Sequence, residues 1–186
     1  MTRLVLASAS PRRRELLAAA GLSFDVDAAD VDETRLADEA PGTYVLRLAR
    51  RKAEVVAARN PQRVVLGADT IVVLGETVLG KPEGAGQAAA MLRLLSGRAH
   101  EVMTGVALVV NGQTHADVAT TTVWMAEMSP ADIEWYVASG EPLDKAGAYA
   151  IQGLASRFIP RIEGSYSNVV GLPVVTVLEL IRRSAI

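Results

Sequence analysis

Apolar and polar residues follow one another in short blocks, and these blocks predict strands that alternate with helices. The apolar run Leu4–Ala7 predicts a first strand, and Phe24–Ala28 predicts a second. Between them, Ser10 and Pro11 are typical of residues that begin a helix, so we expect a helix over Arg12–Gly21 that ends at its terminal glycine. The chain therefore begins with a strand–helix–strand unit.

The rest of the chain continues this mixture. An acidic loop is expected over Asp30–Glu39, and Asn111-Gly112 predicts a type I′ turn between two long strands. A glycine-containing loop lies between Asp144–Gln152 and Arg157–Ile162, and Ser165–Pro173 leads into the last helix. Because hairpins occur beside strand–helix units, we expect a mixed α/β fold and not a wholly parallel sheet. The other predicted strands are Val64–Leu74, Thr77–Leu79, Val102–Val110 and Thr114–Met125, and the other predicted helices are Thr43–Arg59, Gln87–Leu95, Ala131–Ser139 and Val174–Arg183.

The strand predicted over Val64–Leu74 is the most unusual of these elements. Its β-branched apolar residues are typical of a strand covered on both faces, yet Asp69 and Thr70 interrupt them just after Gly67. An ionised carboxylate in such a strand is costly unless a cation, a metal ion or hydrogen-bond donors accompany it. Two interpretations remain open: a structural aspartate in a bend between two short strands, or a carboxylate that belongs to a functional site.

Composition narrows the class of protein. The 186 residues are 50% hydrophobic and 22% charged, which predicts one globular domain over residues 1–186. The chain has no cysteine for disulfides or thiol chemistry, and no apolar stretch typical of a membrane span or a secretion signal. We therefore expect a cytoplasmic protein without a membrane partner. The net charge of −2 and the 4% of aromatic residues argue against a nucleic-acid binder.

Basic residues occupy the predicted start of the first helix, where acidic residues are normally favoured. Arg12–Arg14 follow Ser10 almost directly, although the helix dipole disfavours cations there by about 0.3–1 kcal/mol each. A bound polyanion would explain this pattern, because backbone N–H groups, the hydroxyls of Ser8 and Ser10, and the guanidinium groups could all donate to phosphate. The alternative is a solvated basic turn in which Arg14 pairs with an acid elsewhere.

Three lysines stand in similarly unusual places. Lys52 lies on the apolar stripe of its predicted helix, four residues after Leu48 and four before Val56. Its ammonium group either snorkels to solvent or points into a cleft towards an anion. Lys81 lies at the end of a predicted strand, where functional side chains are common, and Lys145 is a third candidate.

Candidate acids complete the predicted phosphate site. Mg²⁺ prefers oxygen ligands and bridges substrate phosphates, so Asp32 or Glu33 could help to hold it, although a solvated surface pair is the ordinary interpretation of such a loop. Asp69 could then deprotonate a water that attacks phosphorus, while lysines neutralise the developing charge. His100 and His115 are too isolated for a zinc site, and the chain has no Walker or dinucleotide-binding glycine motif.

Six segments of the chain carry more specific motifs, which are Ser8–Leu17, Gly67–Thr70, Gly80–Pro82, Leu94–Gly97, Asp144–Gly153 and Val170–Pro173. In this order, and over nearly the whole chain, they resemble the Maf family of nucleotide pyrophosphatases. The resemblance implies a mixed α/β fold with a long twisted sheet and two lobes around a central cleft. It also implies a relation to the inosine-triphosphate pyrophosphatase architecture.

The resemblance further implies an activity. Maf-like enzymes hydrolyse a nucleoside triphosphate to the monophosphate and pyrophosphate with Mg²⁺ or Mn²⁺, and members are commonly homodimers. Segment Asp144–Gly153 contains the motif Asp-Lys-Ala-Gly-Ala-Tyr followed by Ile-Gln-Gly. This motif resembles that of the branch that acts on dTTP and UTP. Two alternatives stay open: a sister branch that acts on 7-methyl-GTP, and a non-catalytic nucleotide- or nucleic-acid-binding regulator of septum formation.

Residue by residue, the resemblance implies roles for the candidates. Asp69 is implied as the general base, and Glu33, or Asp32 in its place, assists the metal or the water. Gln152 suits a pyrimidine, because its amide offers a donor and an acceptor to the N3–H and a carbonyl of uracil or thymine. The candidate catalytic residues are Asp69, Glu33, Lys52 and Lys81, and the candidate metal ligands are Glu33 and Asp69. The candidate substrate-binding residues are Ser8, Ser10, Arg12, Arg13, Thr70, Lys145 and Gln152, of which Arg12, Thr70 and Gln152 match positions that select the base.

Overall fold

The computed structural model describes residues 4–184, which form strands and helices in the predicted mixture. The strands are β1 (Leu4–Leu6), β2 (Phe24–Val26), β3 (Val65–Leu74), β4 (Thr77–Leu79), β5 (Ala99–Val110), β6 (Gln113–Trp124) and β7 (Arg161–Glu163). The helices are α1 (Pro11–Ala19), α2 (Pro41–Arg59), α3 (Ala85–Leu95), α4 (Pro130–Ala138), α5 (Tyr166–Val170) and α6 (Val174–Arg183). Short 3₁₀ segments cover Glu141–Asp144, Ala146–Ala148 and Leu154–Phe158. No helix within residues 4–184 has the length and apolarity needed to cross a membrane.

The strands form one mixed sheet, which confirms the predicted α/β fold class. The sheet has seven strands, six of which follow the order β2-β1-β3-β5-β6-β7. The seventh strand, β4, pairs with β3 and has no place in that linear order. β1 is parallel to both β2 and β3, whereas β4 is antiparallel to β3 and β7 is antiparallel to β6. The parallel pairs join strands that are separated by helices, and the antiparallel pair β3–β4 comes from a hairpin, as expected from the connections. The antiparallel pair β6–β7 forms only after the chain has passed through α4 and the 3₁₀ segments.

The chain divides into two compact units. The first contains residues 4–70, 104–119 and 171–184 of the described chain, and the second contains Ile71–Met103 and Thr120–Val170. In the first unit, leucines of β1, β3 and β5 pack with α1 and α6, while the alternating valines of the same strands pack with α2. The second unit buries its own core, which includes Leu92, Leu95, Val123, Tyr136 and Phe158.

Most predicted elements are confirmed, and the differences are local. Asn111 and Gly112 have φ of 50° and 78°, as a type I′ turn requires. β3 is one continuous strand, so the bend between two short strands that was an alternative for Asp69 is absent. The segment Ser165–Pro173 contains a short helix that was not predicted, because five residues are too few for a recognisable periodicity.

Gly67 shows how closely β3 and α2 approach each other. A Cβ atom at this position would lie 2.3 Å from the carbonyl oxygen of Ala49 and 2.7 Å from the nitrogen of Ala53. Both are backbone atoms of α2 and cannot turn aside as a flexible side chain could. A glycine inside a strand here marks a close approach of another backbone. The absence of a side chain at Gly67 therefore allows α2 to pack directly against β3, the strand that carries Asp69.

Gly67→Ala should therefore lower the free energy of unfolding by about 3 kcal/mol, the cost of forcing an extra carbon into a packed interior. The matched control is Gly86→Ala in α3, where a Cβ would meet nothing within 4 Å. That substitution should stabilise the protein by about 0.5 kcal/mol, because alanine favours a helix over glycine. Urea unfolding of both variants provides the comparison. A loss at Gly67 no larger than the change at Gly86 would contradict the close approach.

Candidate active site

The start of α1 is built as the sequence predicts. Ser10 is the N-cap residue, its hydroxyl accepts from the Arg13 nitrogen at 3.5 Å, and Pro11 occupies the first turn. The hydroxyl of Ser8, which is buried, accepts from the Ser10 nitrogen at 3.2 Å. No acidic residue lies in this first turn. Ser10 thus has a capping role in addition to its predicted contact with substrate, and Arg12 lies half-buried in the same turn.

The guanidinium of Arg13 is held by the protein itself. Nε donates to the carbonyl of Gly171 (2.9 Å), and Nη1 donates to the carbonyl of Ala68 (2.7 Å) and to Ser8 Oγ (3.2 Å). Nη2 donates to Thr70 Oγ1 at 3.1 Å. These bonds occupy four of the five N–H donors of the fork. Arg13 therefore joins the start of α1 to β3 and to the turn before α6.

Thr70 belongs to the same network. Its Oγ1 donates to the carbonyl of Gly171 at 3.2 Å and lies 2.9 Å from Oγ1 of the fully buried Thr104. Burial lowers the pKa of Arg13, and the nearby carboxylates of Asp69 and Glu33 oppose this shift. The predicted phosphate-binding helix start and the predicted acids therefore share one electrostatic environment in the first unit.

Lys52 brings the two candidate acids together. Its Nζ lies 2.6 Å from Asp69 Oδ1 and 2.6 Å from Glu33 Oε1. Lys52 and Asp69 are each 8% exposed, whereas the Glu33 side chain is 58% exposed. The apolar stripe of α2 therefore carries Lys52 inward, as the spacing predicts, and the ammonium compensates a carboxylate that a buried strand could not otherwise hold. The pair satisfies the requirement that made Asp69 unusual in the sequence.

Two residues that the sequence analysis missed hold the loop that carries Glu33. Tyr44 donates its hydroxyl hydrogen to the carbonyl of Glu33 at 2.7 Å. Arg47 makes a bidentate ion pair with Glu39 at 2.7 and 2.8 Å and also donates to the carbonyl of Thr34 at 3.1 Å. Burial raises the pKa of Tyr44, and the charges of Asp69 and Glu33 add to this shift. The sequence pattern that could have identified Tyr44 and Arg47 is their spacing of three residues, which places both on one face at the start of a helix that follows an acidic loop.

Asp32 takes a different part from Glu33. Its carboxylate accepts from the nitrogen of Thr34 at 2.9 Å. Hydrogen bonding by the Thr34 side chain, followed by this backbone bond, lowers the pKa of Asp32. The residue is fully on the surface of its loop and forms the local turn that precedes Arg35. Of the two acids considered for this place, Glu33 is therefore the one that contacts Lys52.

The remaining candidates lie in the second unit. Lys81 is exposed, and the carbonyl of Gly80 before it accepts from the Gly147 nitrogen at 3.0 Å. The ammonium of Lys145 donates to the carbonyl of Glu141 at 3.0 Å and forms an ion pair with Asp144. Gln152 is exposed, and within residues 4–184 its amide has no hydrogen-bond partner. The hydrogen bond between Gly147 and Gly80 joins the segment that carries Lys145 to the segment that carries Lys81.

A family model described as Maf-like protein matches residues 3–184, which is almost the whole chain. The chain belongs to the Maf family. Among its relatives, the dTTP/UTP pyrophosphatase of Myxococcus xanthus is 55% identical over 100% of this chain and 94% of that protein. The dTTP/UTP pyrophosphatase of Vibrio cholerae is 52% identical over 98% of both chains, and that of Salmonella typhimurium is 54% identical over 97% of this chain and 92% of its own.

Among solved structures, the Ham1 protein of Staphylococcus aureus matches 67% of this Maf chain and 72% of its own, with 16% identity and a TM-score of 0.47. The fold class stated above rests on the strands and helices of the Maf chain itself.

The acids of this Maf protein fit a metal ion that is shared with a substrate. Within residues 4–184, no group of three or more histidine, cysteine, aspartate or glutamate side chains is placed to hold a metal ion. Glu33 and Asp69 nevertheless present two carboxylates to the same point, now taken by the Lys52 ammonium. Mg²⁺ is commonly held by one or two carboxylates together with substrate phosphates and waters. The donor set therefore suits such an ion and does not suit an all-protein cage.

Both histidines lie in strands, and His100 is part of a core pair. His100 Nε2 lies 2.8 Å from the hydroxyl of Tyr149, and burial lowers the pKa of His100 to about 4. A neutral ring 3% exposed in the interior of the second unit is a packing element. His115 lies in β6, and neither residue contributes to a zinc site within the described chain.

Proposed function

We propose that this protein hydrolyses a pyrimidine nucleoside triphosphate, dTTP or UTP, to the monophosphate and pyrophosphate. The observation that carries the proposal is the buried Asp69–Lys52 pair, with Glu33 on the same ammonium, in the unit that also holds the cationic start of α1. Relatives that are 52–55% identical over nearly the whole chain are named dTTP/UTP pyrophosphatase, which supports this choice of substrate over 7-methyl-GTP.

In the proposed reaction, a water molecule attacks the α-phosphorus. Asp69 accepts a proton from this water as its oxygen bonds to phosphorus, and the bond from the α-phosphorus to the bridging oxygen breaks, which releases pyrophosphate. Lys52 pairs with the Asp69 carboxylate at 2.6 Å and would oppose the negative charge that develops on the phosphoryl oxygens. Mg²⁺ held by Glu33 and Asp69 would supply further neutralisation of the phosphate oxygens.

The substrate-binding roles follow from charge and hydrogen-bonding capacity. Backbone N–H groups at the start of α1, with Arg12 and Ser8, are suited to phosphate oxygens. Arg13, four of whose five N–H donors bond to the protein itself, would contribute mainly by fixing Thr70 and Ser8 in place. The resemblance to Maf proteins supports Lys81 and Lys145 as further cations for the triphosphate, and the exposed amide of Gln152 is suited to the edge of uracil or thymine.

The resemblance to Maf proteins also leads us to propose a homodimer in the cytoplasm.

The alternative of a nucleic-acid-binding regulator of septum formation is disfavoured by the net charge of −2 and the scarcity of aromatic residues. It would require affinity for duplex DNA at physiological salt without any turnover of triphosphates.

The proposed function is tested by identifying the phosphate product released from a panel of dTTP, UTP, CTP, dGTP and 7-methyl-GTP with Mg²⁺. We expect pyrophosphate from dTTP and UTP. Chelation of the metal should lower that rate by about 100-fold, because charge on the phosphate oxygens is no longer neutralised, and Mg²⁺ or Mn²⁺ should restore it. Release of orthophosphate would contradict cleavage at the α-phosphorus. Faster turnover of 7-methyl-GTP would favour the sister branch.

A further inference from the structure

The side chain of Glu141 is half-buried, and its carboxylate belongs to a hydrogen-bond network that no predicted role explains. Glu141 opens the 3₁₀ segment that follows α4, and its side chain turns towards the segment that begins at Leu154. Oε2 accepts from the Leu154 nitrogen at 3.0 Å, and Oε1 lies 3.5 Å from the Ala155 nitrogen. The first N–H groups of a helical turn lack partners within the turn, so an acidic group placed there satisfies them.

Tyr136 extends this network to the other side of the same loop. Its hydroxyl donates to Glu141 Oε1 at 2.7 Å and accepts from the Ala150 nitrogen at 3.2 Å. Tyr136 is fully buried in α4, and burial together with the bond to Glu141 raises its pKa, so it remains a hydrogen-bond donor at neutral pH. Glu141 and Tyr136 therefore hold backbone N–H groups on both sides of Gln152.

Gly153 leaves the space that this carboxylate occupies. A Cβ at Gly153 would lie 2.0 Å from Glu141 Oε2. The φ of Gly153 is −109°, which any residue adopts, so the glycine is needed for space and not for backbone conformation. The residue directly after Gln152 is thus shaped to receive Glu141.

Gln152 itself is exposed and has no side-chain partner within the described residues, so its direction depends on how its backbone is held. A group that reads a base by hydrogen bonds must be held within about 0.5 Å of its productive place by surrounding contacts. We propose that Glu141, supported by Tyr136, is the positioning residue that sets Gln152 for recognition of the uracil or thymine edge. This inference rests on the proposed function, and Glu141 itself would not touch the base.

A double-mutant cycle between Glu141 and Gln152 tests the inference. Glu141→Gln keeps the size of the side chain but places an N–H donor against donors. It should lower kcat/KM for UTP by about tenfold, mainly through KM, because a displaced recognition group weakens binding. In the Gln152→Ala background the same change should cost less than about twofold, since its effect passes through the missing amide. Turnover of dGTP should be nearly unchanged in each variant.

Glu134→Gln is the matched control, because Glu134 is exposed on α4 and the chemical change is identical. It should leave kcat/KM unchanged. Two measurements that need no turnover complete the test. Glu141→Gln, and not Glu134→Gln, should speed hydrogen exchange in the peptide that covers residues 150–155 and weaken the binding of UMP by about tenfold, as a misplaced amide would.

The outcomes separate the two proposals. An equal loss from Glu141→Gln with and without Gln152, or an equal loss for UTP and dGTP, would overturn the positioning role while leaving the pyrophosphatase intact. Wild-type protein that releases no pyrophosphate, but whose binding of UMP is weakened by substitution of Gln152 or of Glu141, would overturn the proposed function and leave the positioning role standing. Unchanged exchange in residues 150–155 would contradict the observed anchor itself.

Discussion

Asp69→Asn should lower the rate of pyrophosphate release from UTP by about 10³-fold, the usual contribution of a well-placed general base. Asparagine has nearly the same shape but cannot accept the proton of the attacking water. The carboxylate now lies 2.6 Å from Lys52 and only 8% of the residue is exposed, so little solvent is available to replace it. The loss should appear in kcat at saturating UTP.

The control for this prediction is Asp30→Asn in the exposed acidic loop, which makes the same chemical change outside the Lys52 pair. Its rate should equal that of the wild type. Thermal unfolding of Asp69→Asn should still be cooperative, which separates lost chemistry from lost fold. A variant that retains more than about a tenth of the wild-type rate would remove Asp69 from the role of base.

Lys52→Met should lower the free energy of unfolding by about 3 kcal/mol, because it leaves the buried Asp69 charge without its cation. Glu33 adds little to this figure, since more than half of its side chain is in solvent. Methionine retains much of the volume of the lysine stem, so the change is mainly one of charge. Urea unfolding measures the effect, and Arg51→Met, one position away on the exposed side of α2, should be close to neutral.

The same Lys52→Met substitution should reduce the rate of UTP turnover by about 100-fold, because a fixed positive charge near the reacting phosphate is lost. The double variant Lys52→Met with Asp69→Asn should recover most of the lost stability, since neither partner is then a buried, unpaired charge. It should remain inactive. A double variant as unstable as Lys52→Met alone would show that packing, and not the ion pair, accounts for the destabilisation.

Arg13 illustrates where interpretation of the sequence was incomplete. Three arginines at a helix start point to an anion, and this reasoning treats them alike. In the fold, the Arg13 guanidinium donates to Gly171, which is 158 positions away in the chain, and to the carbonyl of Ala68. The residues around Arg13 in the sequence contain no information about acceptors so distant in the chain. Its role as a ligand of the triphosphate stays a prediction, whereas its hydrogen bonds to the protein are observed.

Glu141 illustrates a residue that the sequence did not single out at all. An acid after Gly140 resembles an ordinary surface residue at the end of a helix. Its significance depends on the 3₁₀ turn at Leu154, thirteen residues later, whose N–H groups meet its carboxylate. Similarly, Tyr44 gains a role only because the Glu33 carbonyl approaches it.

The sequence by itself determined the mixed fold class, the order of most strands and helices, the helix start at Ser10 and the two anomalies at Asp69 and Lys52. These features depend on neighbours within a few positions, such as periodicity, capping and the cost of a charge in an apolar run. Only the tertiary structure decided that Lys52 pairs with both Asp69 and Glu33, and that Arg13 donates to the Ala68 carbonyl of β3. It also decided that the Glu141 carboxylate accepts from the Leu154 nitrogen, next to Gln152 and Gly153. Those contacts join groups distant in sequence, and their partners are chosen by how helices and strands pack.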